Sequence, residues 1–167
     1  DNARRVRLKP GVYCGWTKFN GSPTIRLKPG VYVIRGGGWV VNADAKFVGK
    51  GVTIYFDDTS KIQFNRNVTI GLTPPAAGKY KGILMYERDG LPKSKLVFNG
   101  TRSANIEGLV YLPSRDVIFN SPHVMTSTNQ MLVFRTLIMN RADWTMGPAD
   151  LNLRSAKDSE TKSASSQ

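Results

Sequence analysis

The chain has little from which to build a reaction centre. Its 167 residues hold one cysteine, one histidine and 12 carboxylates, against 24 lysines and arginines. A single cysteine, Cys14, excludes an internal disulfide. It is expected to be a small buried hydrophobe, with a bridge to another chain as the alternative. His123, in Ser-Pro-His-Val-Met, has no second histidine to join it, so neither a zinc set nor a nucleophilic triad has a starting point. It is expected to be an ordinary turn residue. No apolar run approaches the roughly 18 residues a spanning helix requires, so no transmembrane segment is expected within 1–167. The chain opens at Asp1 without a basic-then-apolar leader. It is therefore expected to be a processed mature protein or part of a longer one, with any anchor before residue 1.

The few acids are scattered. Asp57-Asp58 and Glu87/Asp89 are the only close pairs, and each has a basic neighbour, Lys61 or Arg88. Neighbouring strand residues point to opposite faces, so these acids are expected to be solvated loop charges rather than a general acid/base pair. Gly36-Gly37-Gly38 is followed by Trp39-Val40-Val41 and not by Lys-Ser/Thr, so it is a flexible corner and not a phosphate loop. No enzyme is indicated, and no metal or cofactor is expected.

What the chain does have is repetition. Arg-Leu-Lys-Pro-Gly-Val-Tyr stands at 7–13 and again at 26–32. Weaker echoes continue in two columns. Gly11, Gly30, Gly51, Gly82 and Gly108 each precede a short apolar strand. Asn20, Asn42, Asn65, Asn99, Asn120 and Asn140 each follow an apolar residue. The asparagines recur every 20–23 residues, except for one longer step between Asn65 and Asn99. Helical patterning is nearly absent, and the runs are filled by Val, Ile, Tyr, Phe and Thr, as strands require.

A strand of four to six residues cannot bury its apolar side alone. If the chain coils once per period, each strand lies on its equivalent about 4.8 Å below, and like residues stack in files through one interior. Asn and Gly suit the corners because they tolerate left-handed backbone. These features predict an all-β, right-handed parallel β-helix (solenoid) of about six to seven coils over residues 1–148. An antiparallel sandwich or barrel is the rival, but it needs no asparagine in register. The long step predicts two loops, at about 72–82 and 87–95. A short amphipathic cap over 144–153 is possible, and the polar, Ser-rich 149–167 is expected to be a disordered tail.

The ordered strings "LKPGVYCGW…LKPGVYVI", "GKGVTIYF", "IQFN", "GILMY" and "FNG…IEGLVYLPSRDVIFN" resemble the C-terminal β-helical region of TadG-like proteins, envelope components of tight-adherence (Flp-type) pilus systems. The resemblance covers about residues 7–140. It implies a bacterial envelope or pilus-assembly protein outside the cytoplasmic membrane: periplasmic, envelope-bound or extracellular. It also implies a cysteine partner for Cys14 near 127–134, where this chain has none, and it carries no catalytic residues.

The formal net charge is +12. A surplus of this size draws a protein toward polyanions or acidic protein faces. If the duplicated phrase stacks, Arg7 lies under Arg26 and Lys9 under Lys28; with Arg4 and Arg5 these form a basic ridge and the candidate anionic-partner surface. No recognised nucleic-acid module is present, and the aromatics fit the apolar files first, so nucleic acid is possible but not favoured. The sequence thus predicts a non-enzymatic structural or adhesion-type module, a rigid rod presenting a basic face and loops to another envelope or pilus protein or to an anionic surface. The alternatives are a basic subunit clamped into a larger complex, a module binding glycan, lipid headgroup or nucleic acid, and, least favoured, a polysaccharide-active enzyme.

Overall fold

A computed structural model describes residues 5–120, 123–140 and 142–147. It has thirteen strands: β1 (Arg5–Leu8), β2 (Gly11–Phe19), β3 (Thr24–Leu27), β4 (Gly30–Asn42), β5 (Lys46–Gly49), β6 (Val52–Phe56), β7 (Lys61–Leu72), β8 (Ile83–Glu87), β9 (Ser94–Ile106), β10 (Gly108–Phe119), β11 (His123–Ser127), β12 (Gln130–Met139) and β13 (Ala142–Met146). Every pairing between them is parallel. The fold is a right-handed parallel β-helix of about six turns.

Three faces enclose the core. Face A stacks β1, β3, β5, the end of β7, the end of β9, β11 and β13. Face B stacks the start of β2, the start of β4, β6, β8, and the starts of β10 and β12. Face C stacks the remaining halves of β2, β4, β7, β9, β10 and β12. Because strand side chains alternate, every second residue enters a file. On face A the inward file runs Val6, Ile25, Phe47, Ile70, Ala104, Met125, Trp144. On face C the rings of Phe64, Phe98 and Phe119 stack at 5.3 and 4.5 Å, and Trp144 meets Phe119 edge-on at 4.8 Å. Contacts of this kind add about 0.5–1.5 kcal/mol each beyond the burial itself.

The corner between faces C and A is an asparagine ladder. Each side-chain amide donates to the side-chain oxygen one coil earlier: Asn42 to Asn20 at 2.7 Å, Asn65 to Asn42 at 2.8 Å, Asn99 to Asn65 at 3.2 Å, Asn120 to Asn99 and Asn140 to Asn120 at 3.1 Å. The chain then turns through left-handed residues, Ala43 and Arg66 among them. A long step between two rungs leaves the ladder intact because its extra residues lie in segments 73–82 and 88–93, outside the strands.

The corner between faces A and B explains the duplicated phrase, with one correction. Arg7 pairs with Arg26 and Leu8 with Leu27, but the register then slides by two, so that Gly11 faces Tyr32; one coil on, Gly30 faces Val52 in the same register as Leu27 with Gly49. Gly11 therefore does not stack on Gly30, nor Gly30 on Gly51. Gly30, Gly51 and Gly108 instead lie against the proline ring of another coil: a β-carbon on Gly30 would collide with Pro10, one on Gly51 would touch Pro29, and one on Gly108 would lie 2.6 Å from Cγ of Pro74, whereas one on Gly11 would meet nothing within 4 Å. Lys-Pro-Gly recurs because the proline of one coil needs the glycine of the next.

Three other expectations change. Cys14 is exposed, not buried, because it alternates outward from Tyr13. His123 opens strand β11 instead of standing in a turn, and 142–146 extends face A as β13 instead of forming an amphipathic cap. Arg4 and the expected tail at 149–167 lie outside the described residues.

Candidate anionic-ligand cleft

The outward side of face A carries two files. One runs Arg5, Thr24, Lys46, Thr69, Ser103; the other runs Arg7, Arg26, Val48, Gly71, Asn105. Immediately after the second file, at the corner with face B, stand Lys9, Lys28 and Lys50 on successive coils, each directly following a residue of the registered set Leu8, Leu27, Gly49. Segment 73–82 rises beside this corner. Its backbone is tied by Gly82 N–H to Pro75 O at 2.9 Å, Lys81 N–H to Gly78 O at 3.1 Å and Ile83 N–H to Tyr80 O at 3.0 Å. The Tyr80 ring anchors it by stacking on Tyr86 at 5.8 Å.

Corner and wall enclose an open cleft of about 1130 Å³. Arg7, Arg26, Lys28, Lys50 and Lys81 line it, all exposed, with Pro29, Pro74 and Pro75 supplying apolar surface between them. None of these five cations has an ion-pair partner among the described residues. Among the described residues the cleft has one carboxylate, Glu107, and it is already engaged. It accepts from Asn129 N–H at 2.8 Å, Thr128 N–H at 3.2 Å, and the Thr128 and Ser127 hydroxyls at 3.3 Å. The arrangement is a fixed, positively charged trough aligned with the coil axis.

Of the residues named from sequence, the cleft brings together Arg7, Arg26 and Lys28. Lys9 stands one coil before Lys28 in the same corner file, and Arg5 belongs to the neighbouring file. Lys50 and Lys81 were not singled out. Lys50 could have been found by continuing the Lys-Pro-Gly column into Lys50-Gly51; Lys81 has no such signal, because the insertion carries it to the corner.

The expectation of solvated loop acids is corrected for Glu87 and Asp58, while Asp89 is exposed. Glu87 is 3% exposed and pairs with Arg115, itself 1% exposed. Arg115 donates from Nε to Glu87 Oε2 at 2.8 Å, and from its terminal nitrogens to the carbonyls of Asp58 at 2.7 Å, Ser60 at 2.9 Å and Thr59 at 3.2 Å. Its guanidinium also lies 5.1 Å from the Phe56 ring centre. Glu87 Oε1 accepts from Ser114 N–H at 2.6 Å. Beside this knot, Asp58 accepts from Gly36 N–H and Ser60 N–H, both at 2.7 Å, and the Ser60 hydroxyl accepts from Gly37 N–H at 2.9 Å. Partial burial pushes the Asp58 carboxyl up, but the Ser60 and Gly36 hydrogen bonds and the Arg115 charge hold it below the usual carboxylate range. The three glycines are thus a tied corner, not a flexible one. Among the described residues, no three His, Cys, Asp or Glu side chains gather where they could hold a metal ion.

Likewise, no described helix is long and apolar enough to cross a membrane. Comparison with known proteins finds no matching family model, curated protein or solved structure.

Proposed function

We propose that this chain is a non-enzymatic structural module of the bacterial cell envelope that holds an anionic partner in the cleft between faces A and B. The single observation that carries this is a corner lined by five exposed cations that, among the described residues, have no ion-pair partner, and whose one described carboxylate is hydrogen-bonded. A corner whose backbone positions are already set has only its side chains to order on binding, and clustered charge of one sign speeds capture of the opposite sign. The ordered resemblance to TadG-like proteins supports an extracytoplasmic, pilus-associated setting, in which a stiff rod displays this corner and its loops to a neighbouring envelope component.

The test compares two triple variants with equal loss of charge. Arg26→Gln/Lys28→Gln/Lys50→Gln removes cleft cations, and Lys93→Gln/Lys95→Gln/Arg102→Gln removes exposed cations elsewhere. Retention on a sulfated or carboxylated matrix is expected to move to much lower salt only for the cleft variant. Equal shifts for both would reduce the binding to net charge and end the cleft's claim.

A further inference from the structure

We infer that the anionic partner is a linear acidic polysaccharide, one carboxylate per sugar ring, lying along the coil axis; this rests on the cleft being an anion site at all. The argument is periodicity. A parallel β-helix places equivalent side chains one strand spacing apart, about 4.8 Å. The cations therefore form levels: Arg7 with Lys9, then Arg26 with Lys28, then Lys50, with Lys81 contributed from the wall. A polyuronate repeats its charge once per ring, at a distance comparable to that level spacing, so successive carboxylates meet successive levels without bending the polymer. Arginine presents a planar fork that suits a carboxylate bidentately, and Arg7 and Arg26 occupy directly paired positions.

The lining discriminates further. Between the cations lie Pro29, Pro74, Pro75 and Ala76, small apolar surfaces on which the C–H side of a sugar ring can rest. Among the described residues, no aromatic side chain lines the cleft. Binders of single-stranded nucleic acid rely on aromatic platforms worth about 1–3 kcal/mol per stacked base, and none is available here. A duplex strand also carries a phosphate every 3.4 Å or so, out of step with the coils. Polyphosphate charges are closer still. Glu107 marks one end of the favourable stretch, since its corner position is acidic where Lys28 and Lys50 are basic.

The experiment is calorimetric titration of the whole chain with galacturonate oligomers of increasing length. Fully methyl-esterified oligomers, polyphosphate and oligothymidylate run as parallel ligands at one salt concentration. Affinity is expected to rise with each added ring and level off at about three, one per cationic level along a file spaced at about 4.8 Å. The esterified oligomers should not bind, and Lys28→Gln/Lys50→Gln should weaken the longest oligomer at least tenfold. If polyphosphate or oligothymidylate binds as tightly as the uronates, or no plateau with length appears, the polysaccharide assignment falls while the anion cleft stands. If no polyanion binds, or the uronates bind the double variant undiminished, the cleft falls with it.

Discussion

Arg115 and Arg26 carry the same guanidinium in opposite surroundings. Arg115 is sealed inside the corner between faces B and C, with a carboxylate, three carbonyls and an aromatic face around it. Arg26 stands exposed in a cleft with four other cations and no ion-pair partner among the described residues. The contrast separates two uses of positive charge in one solenoid. A charge whose donors are consumed by its own chain holds the coils together; charges left without acid are available to something else. Net charge alone hides this division, because the +12 total counts both kinds alike.

The largest expected effect breaks the buried member. Arg115→Ala takes away Glu87's charge partner, leaving it only the Ser114 N–H, and removes the guanidinium donors to three carbonyls; removing one half of a buried pair costs about 3–5 kcal/mol. Urea unfolding is expected to show a midpoint lowered accordingly, while the molecules that remain folded bind polyanion as before. A loss under about 1 kcal/mol, within the range of a surface pair, would mean the knot is not the joint described here.

The asparagine ladder comes next. Asn65 sits between two rungs and also accepts from Gln63, so Asn65→Ala removes three hydrogen bonds to half-buried side chains and is expected to cost about 1–3 kcal/mol. Asn140 makes the last described rung and is exposed, so Asn140→Ala is expected to cost less. Equal losses at the two positions, measured by thermal unfolding, would argue against an energetic ladder.

These two joints differ in how far the sequence revealed them. The ladder was readable because stacking like on like imposes a period, and Asn20, Asn42 and Asn65 obey it; so did the apolar files, and with them the coil itself. The knot between Glu87 and Arg115 was not, because its members come from different coils and only the corner geometry joins them. A signal existed all the same: Arg115 alternates with Val117 and Phe119, both buried, so it occupies an inward position where an unpaired charge would be untenable. The register slide beyond Leu8 and Leu27 was unreadable for a different reason. It depends on Pro10 packing against Gly30, a contact between coils that identical letters cannot encode.

The free cations reverse the pattern of effects. Lys28→Gln/Lys50→Gln removes no ion pair and no buried contact, so stability is expected to stay within about 0.5 kcal/mol, or to rise slightly as like charges are thinned. Polyanion affinity falls instead, and the slope of its logarithm against log salt is expected to flatten by about 0.7 per charge removed, as for single strands. Unfolding and salt titration on the same variant check both halves. A destabilised variant would move these lysines into the scaffold class with Arg115.

The smallest effect is a difference in pH response between the two corners. The folded state holds Asp58 below the ordinary carboxylate range, so its contribution is fully present above about pH 4 and fades as acid protonates it in both states. Asp58→Ala is therefore expected to be less stable than the parent near neutrality, with the gap narrowing steadily below pH 4. Acid loss of uronate binding is expected to follow the ligand's own carboxylates. Binding of a sulfated polymer, which stays ionised in acid, should thus persist at a pH where the Asp58 contribution has gone, provided the chain remains folded. If folded protein instead releases the sulfated polymer over the interval in which Asp58 titrates, the two corners are coupled, and the division between scaffold charge and binding charge is not one the molecule makes.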